Sequence, residues 1–175
     1  MARWFTILLL LLNVQHFVAQ NQCFVSLNNK DLVKYNPSGC GVTYVGQVWG
    51  GMYDIALTPS GKLYGTDSEK LFEIDTTDAT VTHIAQIFNI GFGINNLIAL
   101  DDEYLLALSH WSLYKIRCSD GQKTLVATDS SFIGSSGDIT FYKGYFYLAS
   151  FQNGLVRFKL NKDFSALESI KFVER

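Results

Sequence analysis

Tyr53-Asp54-Ile55-Ala56-Leu57, Thr58-Pro59-Ser60-Gly61, Lys62-Leu63-Tyr64-Gly65, then Leu71-Phe72-Glu73-Ile74-Asp75 and Val81-Thr82-His83-Ile84: this stretch decides the fold, because it recurs. The same order of apolar runs and turns returns as Asn96-Leu97-Ile98-Ala99-Leu100, Tyr104-Leu105-Leu106-Ala107, Leu113-Tyr114-Lys115-Ile116 and Thr124-Leu125-Val126. It returns again as Asp138-Ile139-Thr140-Phe141, Tyr145-Phe146-Tyr147-Leu148, Leu155-Val156-Arg157-Phe158 and Ala166-Leu167. Leu71, Leu113 and Leu155 stand at equal intervals of 42 residues, and so do Tyr64, Leu106 and Leu148. The first turn of the middle repeat reads one residue short, so Asp54 matches either Asn96 or Leu97.

Each unit holds four short runs rich in Leu, Ile, Val, Tyr and Phe, broken by Gly, Pro, Asp, Asn and Ser, which is a strand signal. No window sustains a 3.6-residue period over three turns. In the turn Thr58-Pro59-Ser60-Gly61, Pro pre-sets one dihedral and Gly tolerates a positive one. Four strands per unit at about 42 residues is the period of a β-propeller blade. The expected fold is therefore all-β, with four-stranded blades at 53–88, 95–129 and 137–175. A partial unit at 23–46 comes first: Phe24-Val25-Ser26-Leu27, Leu32-Val33-Lys34-Tyr35 and Val42-Thr43-Tyr44-Val45 read as its second, third and fourth strands, with the innermost missing.

Three full blades and a partial one fall short of the usual four to eight. Two readings stand: the front part of a longer product with further blades, or a small ring that closes without one strand or pairs between chains. The first is favoured, because an open blade edge exposes unpaired backbone groups.

The first residues carry a different message. Met1-Ala2-Arg3 gives one positive charge, Trp4 to Leu12 is apolar, and Ala19 is small. That is the layout of a secretory signal peptide over 1–19, cut after Ala19 or one residue later. An uncleaved anchor helix is the other reading, but Asn13, Gln15 and His16 interrupt the run, and a span needs roughly 17 apolar residues or more. The remainder, 20–175, suits one domain. The net charge of −2 is diffuse, without the clustered basic face that nucleic acid requires, and no later stretch is long and apolar enough to cross a membrane. The expected location is secreted or at the extracellular cell surface, where a disulfide is permitted. Cys23 and Cys40 flank one hairpin-like region and are the favoured pair, leaving Cys118 free or paired outside this chain. Three reduced thiols are the alternative.

The segment Asp54 to Gly65, continued by Leu71-Phe72-Glu73-Ile74-Asp75-Thr76-Thr77, resembles a recurring phrase in the propellers of secreted bacterial proteins, as in large cell-surface proteins of gliding bacteria. The likeness covers most of residues 23 to 175. It implies the fold and an extracellular setting. It implies no catalytic residue, since one fold hosts many functions.

Chemistry must then be sought residue by residue. His83 and His110 fall at different places in the repeat, and no nucleophile–base signature accompanies them. No zinc spacing is present, and no metal or cofactor is expected. Asp75 with Asp78, and Asp101, Asp102 and Glu103, read as turn caps rather than as a calcium loop. Asp54, Asn96 and Asp138 each begin the first strand of a unit. In a propeller they would line the channel mouth, either as a polar ligand site or as ties between blades. Trp49, Phe92 and Trp111 lie in loops, near Gly50, Gly51, Gly91 and Gly93, where exposed rings could meet a glycan. The competing use of aromatic residues is packing between blades. The reading is a non-enzymatic binding or scaffold propeller for a glycan, peptide or protein partner. The alternative is a hydrolase or lyase using acids at the channel mouth.

Overall fold

The structure is a computed structural model. It describes residues 23–27, 30–36, 38–88 and 93–173, and of 23–27 and 95 it describes the backbone alone. The expected leader and Phe92 lie outside the described residues. Four antiparallel sheets follow one another along the chain. The first holds β1 (Cys23–Leu27), β2 (Asp31–Asn36) and β3 (Gly41–Gln47). The second holds β4 (Asp54–Leu57), β5 (Leu63–Thr66), β6 (Lys70–Ile74) and β7 (Val81–Gln86). The third holds β8 (Ile94–Ala99), β9 (Tyr104–Ser109), β10 (Ser112–Arg117) and β11 (Lys123–Thr128). The fourth holds β12 (Ser135–Tyr142), β13 (Tyr145–Ser150), β14 (Gly154–Leu160) and β15 (Leu167–Val173). In the three four-stranded sheets the strands pair in chain order, and among the described residues the first sheet has three strands, in the order β1-β2-β3. This is an incomplete β-propeller. No helix among the described residues is long and apolar enough to cross a membrane.

The sheets are joined by three apolar seams. Leu32 and Val48 of the first meet Met52, Leu63 and Ile74 of the second. Ala56, Tyr64 and Leu71 of the second meet Leu97, Leu105, Ala107 and Ile116 of the third. Leu106, Leu108 and Leu113 of the third meet Ile139, Phe146, Leu148, Val156 and Phe158 of the fourth. The run Leu105-Leu106-Ala107-Leu108 is apolar at every position because β9 is covered on both faces: Leu105 and Ala107 point to one seam, Leu106 and Leu108 to the other. Burying each leucine stabilises the fold by about 1.5–3 kcal/mol. Where β6 meets β7 and β10 meets β11, the register slips at Leu71/Phe72 and Leu113/Tyr114. A bulge there adds twist to the outer strand of each sheet.

The register corrects the expected turn lengths. Leu57 faces Leu63 and Ala99 faces Leu105, so the first turns of the second and third sheets are equally long and Asp54 matches Asn96. The shorter turn lies in the fourth sheet, where Tyr142 faces Tyr145 around Lys143-Gly144, both with positive φ, as a two-residue hairpin requires. The next hairpin of that sheet extends to a Ser150–Gly154 pair and restores the phase at Leu155. Within the slipped stretch Phe146 and Leu148 both face the third sheet. The counterpart of Leu106 is therefore Tyr147, not Leu148.

The side chain of Cys23, one partner of the expected Cys23–Cys40 link, lies outside the described residues. Cys40 is an exposed free thiol in the β2–β3 turn. Cys23 stands opposite Tyr35 on the other side of β2. Cys118 is a free buried thiol in the seam between the second and third sheets.

Candidate functional site

Asp54 opens β4, and its carboxylate does two jobs. Oδ1 accepts the Ile55 N–H at 2.7 Å, and Oδ2 accepts the Leu97 N–H of β8 at 2.6 Å, tying the second sheet to the third. Asn96 repeats the tie one sheet on: its Oδ1 accepts the Ser135 hydroxyl at 2.6 Å. Asn96 is fully buried, and its Nδ2 has no hydrogen-bond partner among the described residues. Neither Asn96 nor Asp138 begins its strand: Asn96 is the third residue of β8, after a bulge at Ile94/Asn96, and Asp138 lies further in. It sits inside β12, in a bulge between the Ser135–Ser150 and Ile139–Leu148 pairs. Burial first, and the Asp138 charge second, push the Asp54 carboxyl up to about 7, against the two backbone N–H groups that favour its ionised form. The Asp138 side chain stays exposed, yet desolvation by the protein around it raises its carboxyl above the ordinary value. The three expected channel-mouth residues thus share one end of the inner strands, with two of them engaged as ties between sheets.

A cleft of about 520 Å³ opens at that same end. Its walls come from the approach to β4 (Tyr53), the start of β8 (Gly93, Ile94) and the approach to β12 (Ile133, Gly134, Ser135). They are completed by the hairpins β5–β6 (Ser68), β9–β10 (His110, Trp111) and β13–β14 (Phe151, Gln152). Antiparallel pairing brings these segments together, since each inner strand begins where its neighbour ends. Three rings stand out on this rim: Tyr53 is 68% exposed, Trp111 47% and Phe151 73%. His110 meets the Trp111 ring edge-on at 5.9 Å. Gly93 and Gly134 let the walls approach. A Cβ on Gly93 would lie 2.6 Å from Ser68 Cβ, and one on Gly134 would lie 3.0 Å from the Phe151 ring at a positive φ of 75°.

Among the described residues, Trp111 is the expected aromatic residue that joins this cleft. Trp49 is more exposed, at 89%, but lines a separate hollow of about 350 Å³ with Met52, Lys70, Phe72 and His83. His83 is on the outermost strand β7, edge-on to Phe72. Tyr53 and Phe151 were not singled out from the sequence. A signal existed for Phe151, since it follows Ser150 in the hairpin that corresponds to Ser109-His110-Trp111.

Asp75, Asp78 and Asp101 act as turn caps. Asp75 Oδ1 accepts the Thr77 N–H at 2.7 Å, and Asp101 Oδ1 accepts the Glu103 and Tyr104 N–H groups at 2.8 and 2.7 Å. Asp102 reaches the neighbouring sheet and accepts the Ser60 N–H at 2.8 Å. Hydrogen bonds of this kind hold the carboxyls of Asp75 and Asp102 below their ordinary value. Among the described residues no group of three His, Cys, Asp or Glu is placed to hold a metal ion.

No family model matches the chain, and no curated protein matches it. Solved structures do match in fold. An auxiliary nutrient binding protein from Bacteroides ovatus superimposes with a TM-score of 0.65 at 12% identity, over 89% of this chain and 39% of the other. A gluconolactonase from Xanthomonas campestris gives 0.62 at 14% identity, over 88% and 59%. Virginiamycin B lyase from Staphylococcus aureus gives 0.58 at 14%, over 88% and 53%. The chain spans about two fifths of the nutrient-binding structure, and identities this low speak for the fold alone.

Proposed function

We propose that this chain is the non-enzymatic, ligand-binding propeller portion of a larger exported protein, and that the aromatic-rimmed cleft is its binding site. One observation carries the reading: three large rings, contributed by three successive sheets, are left exposed around one hollow at the channel end. Scattered apolar residues on a surface are ordinary, but a convergent set beside a cleft marks an interaction site. Two of the three nearby polar residues, Asp54 and Asn96, are occupied with holding the sheets together. The nutrient-binding neighbours are compatible with this use of the fold, and so are an exported setting and the leader read from residues 1–19.

A second reading has its own support. A carboxyl with a pKa near 7, close to a second acid, has the acidity of a general acid or base, and a lyase and a lactonase share the fold. Against it, both Asp54 oxygens already hold backbone N–H groups. The two readings separate on the fate of a ligand. The full chain is incubated with each polysaccharide or peptide that it retains, and the ligand is recovered and analysed by mass spectrometry. Recovery unchanged is expected. Accumulation of a cleaved or rearranged product, abolished by Asp54→Asn, would establish the enzyme instead.

A further inference from the structure

We infer that the ligand of this cleft is a neutral glycan chain, an inference that rests on the binding reading above. Among the described residues the walls hold no Asp, Glu, Lys or Arg. A ligand rich in carboxylate, sulfate or phosphate would find no lysine or arginine in these walls to meet it, and a polycation no acid. Lys123, in the adjoining hollow, is committed: it donates to the Ile87 carbonyl and lies 4.0 Å above the Phe88 ring. What the cleft offers instead is rings and uncharged polar groups side by side. The Tyr53 hydroxyl, the Ser68 hydroxyl and the Gln152 amide border the rings, and the Gln152 amide supplies both donors and an acceptor.

That pairing fits a pyranose. One face of the sugar carries C–H groups that lie against an aromatic ring, and its rim carries hydroxyls that both give and accept hydrogen bonds. The fit to an extended peptide is poorer. Peptides that dock by strand addition use a free sheet edge, whereas this face is made of hairpin tips and strand starts. The rings come from three sheets rather than one, so a chain of several sugars spans the cleft, with Trp111 between Tyr53 and Phe151 in chain order. Trp111 and Phe151 are the principal stacking residues.

Native gel electrophoresis of the full chain through soluble polysaccharide tests this. The neutral probes are amylopectin, xyloglucan and galactomannan, and the anionic probes are alginate and polygalacturonate. A proline-rich decapeptide, followed by tryptophan fluorescence, serves as the aromatic-groove control. At least one neutral polysaccharide retards the protein and neither anionic one does. Trp111→Ala and Phe151→Ala each weaken the retardation at least tenfold, with unchanged thermal midpoints. Retardation by an anionic probe as strong as by a neutral one overturns the neutral assignment. Retardation untouched by either substitution overturns the cleft as the site. Binding of the decapeptide without any polysaccharide overturns the glycan and leaves the binding reading in place. No interaction with any probe overturns both.

Discussion

The third and fourth sheets are built from the same repeat, yet one is covered on both faces and the other on one. Leu113 and Leu155 occupy the same position, 42 residues apart in sequence; the first is 0% exposed and the second 42%. Leu106 is buried in the seam toward the fourth sheet, while its counterpart Tyr147 faces away from the third sheet and is half-buried. Asn96 is sealed against Ser135, while Asp138 is exposed. A repeated residue therefore carries no fixed role. What packs beside the sheet decides whether a position holds the fold together or stays open, and the same rule separates the tied polar set from the open aromatic rim.

The largest effect expected from this contrast is at the paired leucines. Leu113→Ala should cost about 2–5 kcal/mol, as for a fully buried leucine, and Leu155→Ala under about 1 kcal/mol, as for a surface substitution. Urea denaturation of both variants checks it. An equal loss at Leu155 would mean that the fourth sheet is covered in solution. Next come the acids. Asp54→Ala leaves the Ile55 and Leu97 N–H groups without their acceptor and should cost about 1–3 kcal/mol, whereas Asp138→Ala should cost nothing measurable in the same assay.

The pH dependence follows with a definite sign. The Asp54 carboxyl is raised in the fold, from 3.8 to about 7, so the folded state holds the proton more tightly. Its contribution to stability is full below about pH 4 and is lost as pH rises through about 7. The urea midpoint of Asp54→Asn should therefore fall less steeply than that of the unsubstituted chain over this window. Asp138→Asn, which removes the neighbouring charge, should move the fall to lower pH. A flat difference between the variants would remove the carboxyl from the seam.

The smallest effect leaves stability untouched and contrasts a covered thiol with an open one. Cys40 should react with a thiol reagent in the folded protein. Cys118, with its thiol pushed up to about 11 by burial, should react only after denaturation. Protection of Cys40 that is relieved by reductant would restore the Cys23–Cys40 pairing.

Much of this fold is legible in the sequence. The 42-residue interval at Leu71, Leu113 and Leu155 places a third strand in each sheet, and the turn residues separate the others. The slip in the fourth sheet is not legible, for a physical reason. Thr140-Phe141-Tyr142 and Tyr145-Phe146-Tyr147-Leu148 are apolar or amphipathic at nearly every position, so alternation has no phase to read. Two opposite one-residue changes in adjacent hairpins then cancel in the overall spacing. The polar positions Asp54, Asn96 and Asp138 could be found by repetition, but the partners Leu97 and Ser135 lie on neighbouring sheets and needed coordinates. The rim was half visible. Trp111 stands out as a loop tryptophan, while Tyr53 and Phe151 look like the many aromatic residues that fill the seams. Exposure, which alone distinguishes them, depends on how three sheets meet.

The most direct test of the whole account is calorimetric titration of one retained neutral polysaccharide into three proteins: the unsubstituted chain, Trp111→Ala and Asp138→Ala. Binding at the open rim predicts that Trp111→Ala loses at least tenfold in affinity and Asp138→Ala keeps its affinity unchanged. Loss in Asp138→Ala with full affinity in Trp111→Ala would contradict it and move the site to the acids of the channel.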